Sequence, residues 1–259
     1  MAKQTKAARP ETARVLLFDV ECSPNIGYTW GRWEQTVIEF IKERQIICFS
    51  YEWLDTGEFG TLALPDFPGY KKNPDDNKAL IRALHALYSK ADIIVGHNLD
   101  RFDDRRANTD FIKHKLPPPP PHKTVDTLKI ARKHFDFNGN RLSDLGAFLG
   151  LGSKVRHGGF ELWKKCLAGC LKAWAKMRRY CRGDVRLLKK IYLRFLPWIV
   201  NHPNMTWNDR LEGCPNCRSK NLKREGRRYT KTGSTLRFSC RDCGRWCLGE
   251  RAKGRWRFW

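Results

Sequence analysis

The sequence has no apolar run long enough to cross a membrane, and its first residues lack an apolar segment. A spanning helix needs about 20 predominantly apolar residues, and no uninterrupted stretch of that kind occurs here. Residues 1–11 are basic and polar, without the apolar centre of a secretory signal. We therefore expect a cytoplasmic protein without membrane association, in which residues 1–13 form a disordered basic tail.

Acidic residues are scarce relative to basic ones. The 259 residues include 50 Lys and Arg against 27 Asp and Glu, which gives a formal charge of +23. A field of this sign attracts polyanions, and phosphate contacts dominate the affinity of proteins for nucleic acids. An anionic membrane surface is the weaker alternative, because no basic helix with a broad apolar face is present. The composition thus favours a nucleic-acid partner.

The ten cysteines lack the spacing of a secreted disulfide framework. Two Cys-x-x-Cys pairs near the C-terminus contain Cys214, Cys217, Cys240 and Cys243. Four thiolates at this spacing are typical of a tetrahedral structural Zn²⁺ site, although a redox-active pair is an alternative and Cys247 could compete as a ligand. We predict one structural Zn²⁺ in a zinc ribbon over residues 211–250, after a linker at 201–210. A basic aromatic tail follows at 251–259.

Short β-rich runs alternate with segments of helical periodicity between residues 14 and 200. The expected strands are 15–21, 46–54, 59–64, 91–96 and 122–125. The expected helices include 79–88, a segment beginning near 100, a helix capped by Asp126, and 142–149, 171–180 and 184–200. Gly183 weakens a helix by about 1 kcal/mol relative to Ala, so we expect the helix around Tyr180 and Asp184 to bend. This order predicts an α/β domain over residues 14–200 with a mixed five-stranded sheet.

Two carboxylates stand in the first predicted strand. Asp19 and Glu21 are two residues apart, so their side chains share one face of the strand. Neighbouring buried carboxylates repel unless a cation neutralises them, and hard oxygen ligands suit Mg²⁺ or Mn²⁺. By itself this pair is equally consistent with acids that merely end a strand.

Two further elements carry acids at helical positions. Asp103 follows the predicted strand 91–96, where Asp100 is read as a helix N-cap. Tyr180 and Asp184 are four residues apart, so a phenol and a carboxylate share one helix face. An ordinary amphipathic helix would explain the last pair equally well, and only the combination of all three elements is specific.

In their order, these motifs resemble the DEDD family of RNase H-like 3′–5′ exonucleases, in the subgroup with tyrosine in its third motif. The motifs are Asp-x-Glu at Asp19, Asn-x₃-Phe-Asp ending at Asp103, and Tyr-x₃-Asp at Tyr180. The segment Val125–Arg132 also looks like the exonuclease domains of family-B DNA polymerases. The whole stretch is similar to stand-alone bacteriophage exonucleases.

The resemblance implies an RNase H-like fold and a set of site residues. Asp19, Glu21, Asp103 and Asp184 would hold two Mg²⁺ or Mn²⁺ ions, and Tyr180 would orient the attacking water. The implied substrate is single-stranded DNA, or RNA, with a free 3′ end, cleaved to nucleoside 5′-monophosphates. Replication or recombination proteins are the expected partners, and a phage protein would act in the bacterial cytoplasm. The oligomeric state stays open.

Two alternatives to this function remain at the level of sequence. One is an RNA-directed or structure-selective nuclease with the same metal site. The other is a non-catalytic accessory protein that only binds nucleic acid. The residues expected to contact nucleic acid are Asn98 and Phe102 beside the second motif, and Arg227, Arg228 and Trp246 in the ribbon, because arginine and aromatic rings suit phosphate contact and base stacking.

Overall fold

The computed structural model describes residues 13–33, 36–154, 158–206, 213–252 and 255–258. Residues 1–12 of the expected tail, 207–210 of the expected linker and 211–212 of the expected ribbon lie outside these ranges. The chain divides into two compact units. One is Val15–Ile191, and the other combines Met1–Arg14 with Tyr192–Trp259.

A mixed five-stranded sheet forms the centre of the first unit, as predicted. Its strands are β1 (Val15–Cys22), β4 (Ile46–Trp53), β5 (Phe59–Ala63), β6 (Ile93–Gly96) and β7 (Lys123–Asp126). Their order across the sheet is β5-β4-β1-β6-β7. β1 is antiparallel to β4 and parallel to β6. The central strand β1 therefore lies between the hairpin half of the sheet and its parallel half, with Leu16, Leu17 and Phe18 fully buried.

Helices flank this sheet. They are α1 (Lys78–Tyr88), α2 (Asp103–Lys113), α3 (Thr127–His134), α4 (Leu142–Phe148), α5 (Glu161–Leu167) and α6 (Leu171–Phe195), with single 3-10 turns at Leu64–Asp66, Pro68–Lys71 and Leu196–Trp198. Helix α3 begins as predicted, because the Asp126 side chain accepts a hydrogen bond from the Leu128 N–H. Among the helices in the described ranges, none combines the length and the apolar character that a membrane crossing requires.

The prediction of two separate helices around Gly183 was wrong. Helix α6 runs without interruption from Leu171 to Phe195. Met177, Cys181 and Leu188 are almost completely buried along one of its faces. Burial of side chains of this size contributes more than the cost of about 1 kcal/mol for a glycine in a helix, so packing decides the conformation here.

Three elements were not predicted. Helix α5 lacks a long periodic pattern. The strands β2 (Ile26–Tyr28) and β3 (Glu39–Lys42) form a separate antiparallel pair. Their apolar side chains are exposed, including Tyr28 and Phe40. The burial that normally identifies a strand in a sequence is therefore missing from this pair.

The second unit contains a four-stranded antiparallel sheet. Its strands are β8 (Leu222–Thr230), β9 (Gly233–Cys240), β10 (Trp246–Ala252) and β11 (Arg255–Phe258), in the order β11-β10-β9-β8. Phe238 is buried and makes edge contacts with the rings of Trp256 and Phe258, 5.3 and 5.1 Å away. These rings form a small apolar cluster on one face of the sheet.

Candidate active site and metal centre

Strand β1 presents the first two carboxylates on one face of the sheet. Asp19 pairs with Ser50 of β4, and Glu21 pairs with Cys48. Directly after Glu21 the register shifts, which is a bulge of the kind that ends pairing and redirects side chains. Only 9% of Glu21 is exposed, so the pair stands at the edge of the core and not on an open surface.

The third carboxylate comes from the first residue of α2. Asp103 is 3% exposed, and its Oδ1 accepts a hydrogen bond of 3.2 Å from the Val20 N–H of β1. This bond fixes Asp103 against the strand segment between Asp19 and Glu21. Asp103 therefore points back toward β1. The reading of Asp100 as a helix N-cap was wrong, because α2 begins at Asp103 with Phe102 as its N-cap.

Helix α6 brings the fourth carboxylate and the phenol to the same place. Asp184 is 2% exposed and Tyr180 is 8% exposed. Burial is the main cause that raises the pKa of Asp19, and the charge of Asp184 raises it further. Cys181 lies between Tyr180 and Asp184 on α6, and its Sγ is 3.8 Å from Asp19 Oδ2. The thiol thus joins the carboxylates, and Asp19, Glu21 and Cys181 offer ligand atoms within 4.8 Å of one another.

A lysine that the sequence did not single out completes the cluster. Lys154 Nζ lies 2.6 Å from Asp184 Oδ2 and 3.4 Å from the Tyr180 hydroxyl. Burial opposes the charge of Lys154, but the Asp184 carboxylate outweighs this effect and raises the lysine pKa. The side chain is therefore a fixed cation among acids. No pattern marks it, since it is one of 50 basic residues and lies in a loop.

Burial and mutual repulsion disfavour the ionised forms of these acids. Burial raises the pKa of Asp19 well above its usual range, and the charges of Asp103 and Asp184 raise it further. Burial also raises the pKa of Glu21 well above its usual range, and the charge of Asp19 is the second cause. Burial also raises the pKa of Asp103 to about 7, against hydrogen bonds that lower it. A cluster with this electrostatic cost is typical of a functional site.

The cluster fits divalent metal ions by its donor chemistry. Carboxylate oxygens are the ligands that Mg²⁺ and Mn²⁺ prefer, and a doubly charged ion removes the repulsion that raises these pKa values. The ammonium of Lys154 supplies only one positive charge against the four acids. The residues present therefore suit a divalent ion, and Asp19, Glu21, Asp103 and Asp184 are the candidates to hold it.

The loop between β6 and α2 is held by Asp126. Its Oδ1 accepts the N–H of Asn98 at 2.9 Å, and its Oδ2 accepts the N–H of Asp100 at 3.3 Å. Asn98 has a φ of 64°, which is left-handed and uncommon outside glycine. Asn98 therefore shapes the turn that carries Phe102 and Asp103 to the site, in addition to its expected contact with nucleic acid.

An open cleft of about 430 Å³ adjoins the carboxylates. Its lining comprises Val20, Glu21, Cys22, Ser23, Pro24, Arg44, Phe102, Gly159, Phe160 and Trp163. The Arg44 guanidinium lies 5.9 Å from the centre of the Phe102 ring. Phe102 therefore lines the cleft together with Glu21. Phe160 and Trp163 also line the cleft and were not among the predicted residues.

The four predicted zinc ligands converge in the second unit. Their sulfur atoms all lie within 4.8 Å of one another, with Cys214 and Cys243 3.7 Å apart and Cys217 and Cys240 3.6 Å apart. Zn–S bonds of about 2.3 Å in a tetrahedron place sulfurs roughly 3.8 Å apart, so the geometry is compatible with zinc. Cys247 is buried but is not one of the four.

Each Cys-x-x-Cys turn ends in a left-handed residue. Gly244 has a φ of 79°, and Arg218 adopts a φ of 66° at the equivalent position. The first turn, which ends at Cys217, therefore adopts the same backbone shape although no glycine follows it. Of the ribbon residues expected to bind nucleic acid, Arg227 and Arg228 are exposed on β8, and Trp246 is 51% exposed on β10.

Comparisons with known proteins bear on the fold and on the class of activity. Residues 69–161 match the family model described as exonuclease, a segment that includes Asp103 but ends before Tyr180. The fold is similar to the family B DNA polymerase of the hyperthermophilic archaeon Pyrobaculum calidifontis, with a TM-score of 0.54 and 17% identity. The similarity covers 72% of this chain but 25% of the polymerase chain. No curated protein sequence matches the chain significantly.

The polymerase similarity, at this identity, establishes the fold. The family-model match supplies the class of activity, and it covers the segment that contributes the second acidic motif. The order of the acids along the chain and their convergence in space agree with both. Residues 69–161 therefore match an exonuclease domain, within a fold similar to that of the polymerase, and the match supports a hydrolytic nuclease.

Proposed function

We propose that this nuclease hydrolyses single-stranded nucleic acid stepwise from the 3′ end and releases nucleoside 5′-monophosphates, with DNA as the favoured substrate. The observation that carries the proposal is the convergence of Asp19, Glu21, Asp103 and Asp184 with Tyr180 beside a cleft lined by aromatic rings. An exonuclease must grip one unpaired end, and the cleft offers stacking surfaces next to the acids.

The four carboxylates would hold two Mg²⁺ or Mn²⁺ ions. Ions held by these residues would supply the chemistry of a two-metal site, which is activation of a water and stabilisation of the leaving oxygen. No protein nucleophile is then required. The acids supply the negative charge that retains the ions, and Asp103 stays in position through its bond from the Val20 N–H.

Tyr180 and Lys154 would act on the phosphate side of the site. The hydroxyl of Tyr180 is a donor that can orient the attacking water, and burial raises its pKa, so it keeps its proton at neutral pH. Lys154 would release Asp184 when metal binds and turn its ammonium toward the non-bridging oxygens of the scissile phosphate. A fixed cation at this place stabilises charge that develops in the transition state.

In the cleft, Phe102 and Trp163 would stack on the terminal bases, and Arg44 would contact a phosphate. Such stacking contributes about 1–3 kcal/mol per base and is tolerant of sequence. In the second unit, Cys214, Cys217, Cys240 and Cys243 would hold one Zn²⁺ of structural type, since all four positions around the ion are occupied by sulfur.

The test is digestion of single strands labelled at the 3′ or the 5′ end, as DNA and as RNA, with Mg²⁺, Mn²⁺ or chelator. We expect metal-dependent release of mononucleotides from the 3′ end and ladders that shorten progressively from that end. Faster cleavage of RNA than of DNA would reverse the assigned sugar preference. Binding without cleavage under all metal conditions would refute the proposal in favour of an accessory binding protein.

Replacement of Lys154 tests its role separately. Lys154→Ala should lower kcat by about 10²-fold, because a cation at the developing charge is lost, while KM changes little. The control is Lys129→Ala, which removes a more exposed lysine paired with Asp100 at 2.5 Å. Steady-state kinetics on a short labelled strand measures both. Equal rates for Lys154→Ala and wild type would show that Lys154 only balances charge in the metal-free protein.

A further inference from the structure

The sheet of the second unit has two chemically different faces. Directly paired residues in an antiparallel sheet project to the same face, and neighbours along a strand project to opposite faces. Arg228 pairs with Thr235, and Trp246 pairs with Ser239. Thr235, Arg237 and Ser239 alternate along β9. These residues therefore share one face, here called the basic face, with Arg228, Arg237 and Trp246 as its large side chains.

The opposite face is apolar and already packed. It carries Phe238 with the rings of Trp256 and Phe258 around it. Arg227 pairs with Leu236 and so lies on this second face, where its Nε donates a hydrogen bond of 2.8 Å to Ser234 Oγ. The adjacent residues Arg227 and Arg228, which look equivalent in the sequence, thus belong to different surfaces.

The basic face combines an open ring with cations at short range. Trp246 is 51% exposed, and the Arg237 guanidinium lies 5.0 Å from the centre of its ring. Arg228 is also exposed, and the residues paired with it and with Trp246 are the small Thr235 and Ser239. The surface therefore has room beside the indole for a flat ring.

Glu225 is an acid near this surface, and its charge is compensated. Its carboxylate lies 2.9 Å from Lys223 Nζ and accepts a hydrogen bond of 3.1 Å from Ser239 Oγ. The Arg237 guanidinium donates hydrogen bonds of 3.3 and 3.1 Å to the Glu225 backbone oxygen, and neither Arg228 nor Arg237 forms an ion pair with the carboxylate in the described structure. Residues 201–259 hold 15 basic and 5 acidic side chains, so the surroundings also favour an anion.

We propose that the basic face is a binding surface for single-stranded nucleic acid, distinct from the carboxylate site. A base would stack on Trp246, and Arg228 and Arg237 would contact the flanking phosphates. A ring for stacking next to cations for the backbone is the general requirement for binding single strands without sequence preference. The acidic cluster belongs to the other unit, so this binding does not rest on the proposed cleavage reaction.

The test measures affinity in the zinc-loaded full-length chain, with Asp19→Asn added to prevent cleavage. A fluorescein-labelled 30-nucleotide dT strand is titrated at several salt concentrations, and anisotropy is followed. Trp246→Ala should weaken binding by roughly 5- to 100-fold, whereas Trp246→Phe should keep most of the affinity. Arg228→Ala and Arg237→Ala should each weaken binding and reduce the salt slope by about 0.7.

Arg227→Ala is the matched control, since it removes the same charge one residue away on the opposite face. It should leave both affinity and salt slope close to those of the parent. Equal losses for Arg227→Ala and Arg228→Ala would overturn the proposal in favour of diffuse charge attraction. Unchanged affinity for Trp246→Ala with full zinc content would overturn it as well, and so would tighter binding of duplex that is independent of Trp246.

The cleavage rate separates this proposal from the function of the acidic site. In the chain that retains Asp19, Trp246→Ala should cleave a four-nucleotide strand at the wild-type kcat, since Trp246 has no role in the proposed cleavage step. On the 30-nucleotide strand its KM should rise by about the factor lost in affinity. A fall in kcat on the short strand would show that Trp246 acts through the stability of the whole chain.

Discussion

Asp103→Asn is expected to stabilise the metal-free protein at pH 8 while it abolishes cleavage. The carboxylate is 3% exposed, and its burial raises its pKa to about 7. Ionisation at pH 8 therefore costs folding free energy, on the order of a few kcal/mol. An asparagine avoids this cost and its Oδ1 can still accept the Val20 N–H. The melting temperature should rise by roughly 5 °C or more.

The pH dependence of this gain has a defined sign. The pKa of Asp103 is higher in the folded chain than in the unfolded chain, where it is near 4. Between those values the folded state binds more protons, so the stability of wild type falls as pH rises from about 4 to about 7. Asp103→Asn lacks this contribution. Its advantage should be near zero at pH 4 and largest above pH 7.

Metal and activity complete the prediction for Asp103. Mg²⁺ should stabilise wild type more than Asp103→Asn, because the ion offsets repulsion that the variant has lost, and kcat should fall by at least about 10³-fold. Asp100→Asn, three residues earlier, is the control and should keep full activity. Thermal unfolding by circular dichroism from pH 4 to 8 gives the comparison. A variant less stable than wild type at pH 8 would contradict this electrostatic account.

The acids of the site could be predicted because their spacing along the chain is visible in the sequence. Asp19 and Glu21 share a strand face by their spacing, and Tyr180 and Asp184 share a helix face in the same way. A buried strand followed by Asp103 indicated the edge of the sheet where ligands gather. Backbone geometry over a few residues fixes each of these relations, and the resemblance of the ordered motifs to the DEDD exonucleases joined them into one predicted site.

Lys154 and the cleft could not be predicted, because their positions depend on packing between distant segments. Lys154 meets Asp184 across 30 residues of sequence. Trp163 lines the cleft from α5, a helix without a recognisable pattern in the sequence. Gly183 shows the converse case, in which a local preference was visible but the buried face of α6 outweighed it.

The two faces of the ribbon illustrate the same limit. The sequence places Arg227 and Arg228 side by side and gives no reason to prefer either. Pairing with β9 assigns them to opposite faces. Because the register shifts between Arg224 and Arg227, simple alternation along β8 does not predict which face each arginine is on. A bulge adds one residue to a strand and inverts the alternation after it. The register of the β-strands, and not the composition, therefore decides which arginine can contact single-stranded nucleic acid.

Removal of one zinc ligand should unfold the second unit and leave the first intact. Structural zinc binding contributes roughly 10–16 kcal/mol of apparent free energy in small domains, which is more than a four-stranded sheet with one small ring cluster can replace. Cys217→Ser should therefore lose its zinc, and the chain after residue 200 should become sensitive to protease. Cleavage of the four-nucleotide strand by the acidic site should persist at near the wild-type kcat.

Cys247→Ser is the matched control for this loss. Cys247 is 3% exposed and lies close to the cluster in sequence, but it is not one of the four converging thiols. Metal analysis should find one zinc per chain in Cys247→Ser, as in wild type, and a chelator should unfold both proteins alike. Zinc retained by Cys217→Ser but lost in the double variant Cys217→Ser/Cys247→Ser would mean that Cys247 can take the vacated position. Zinc lost in Cys247→Ser alone would instead replace the proposed set of four ligands.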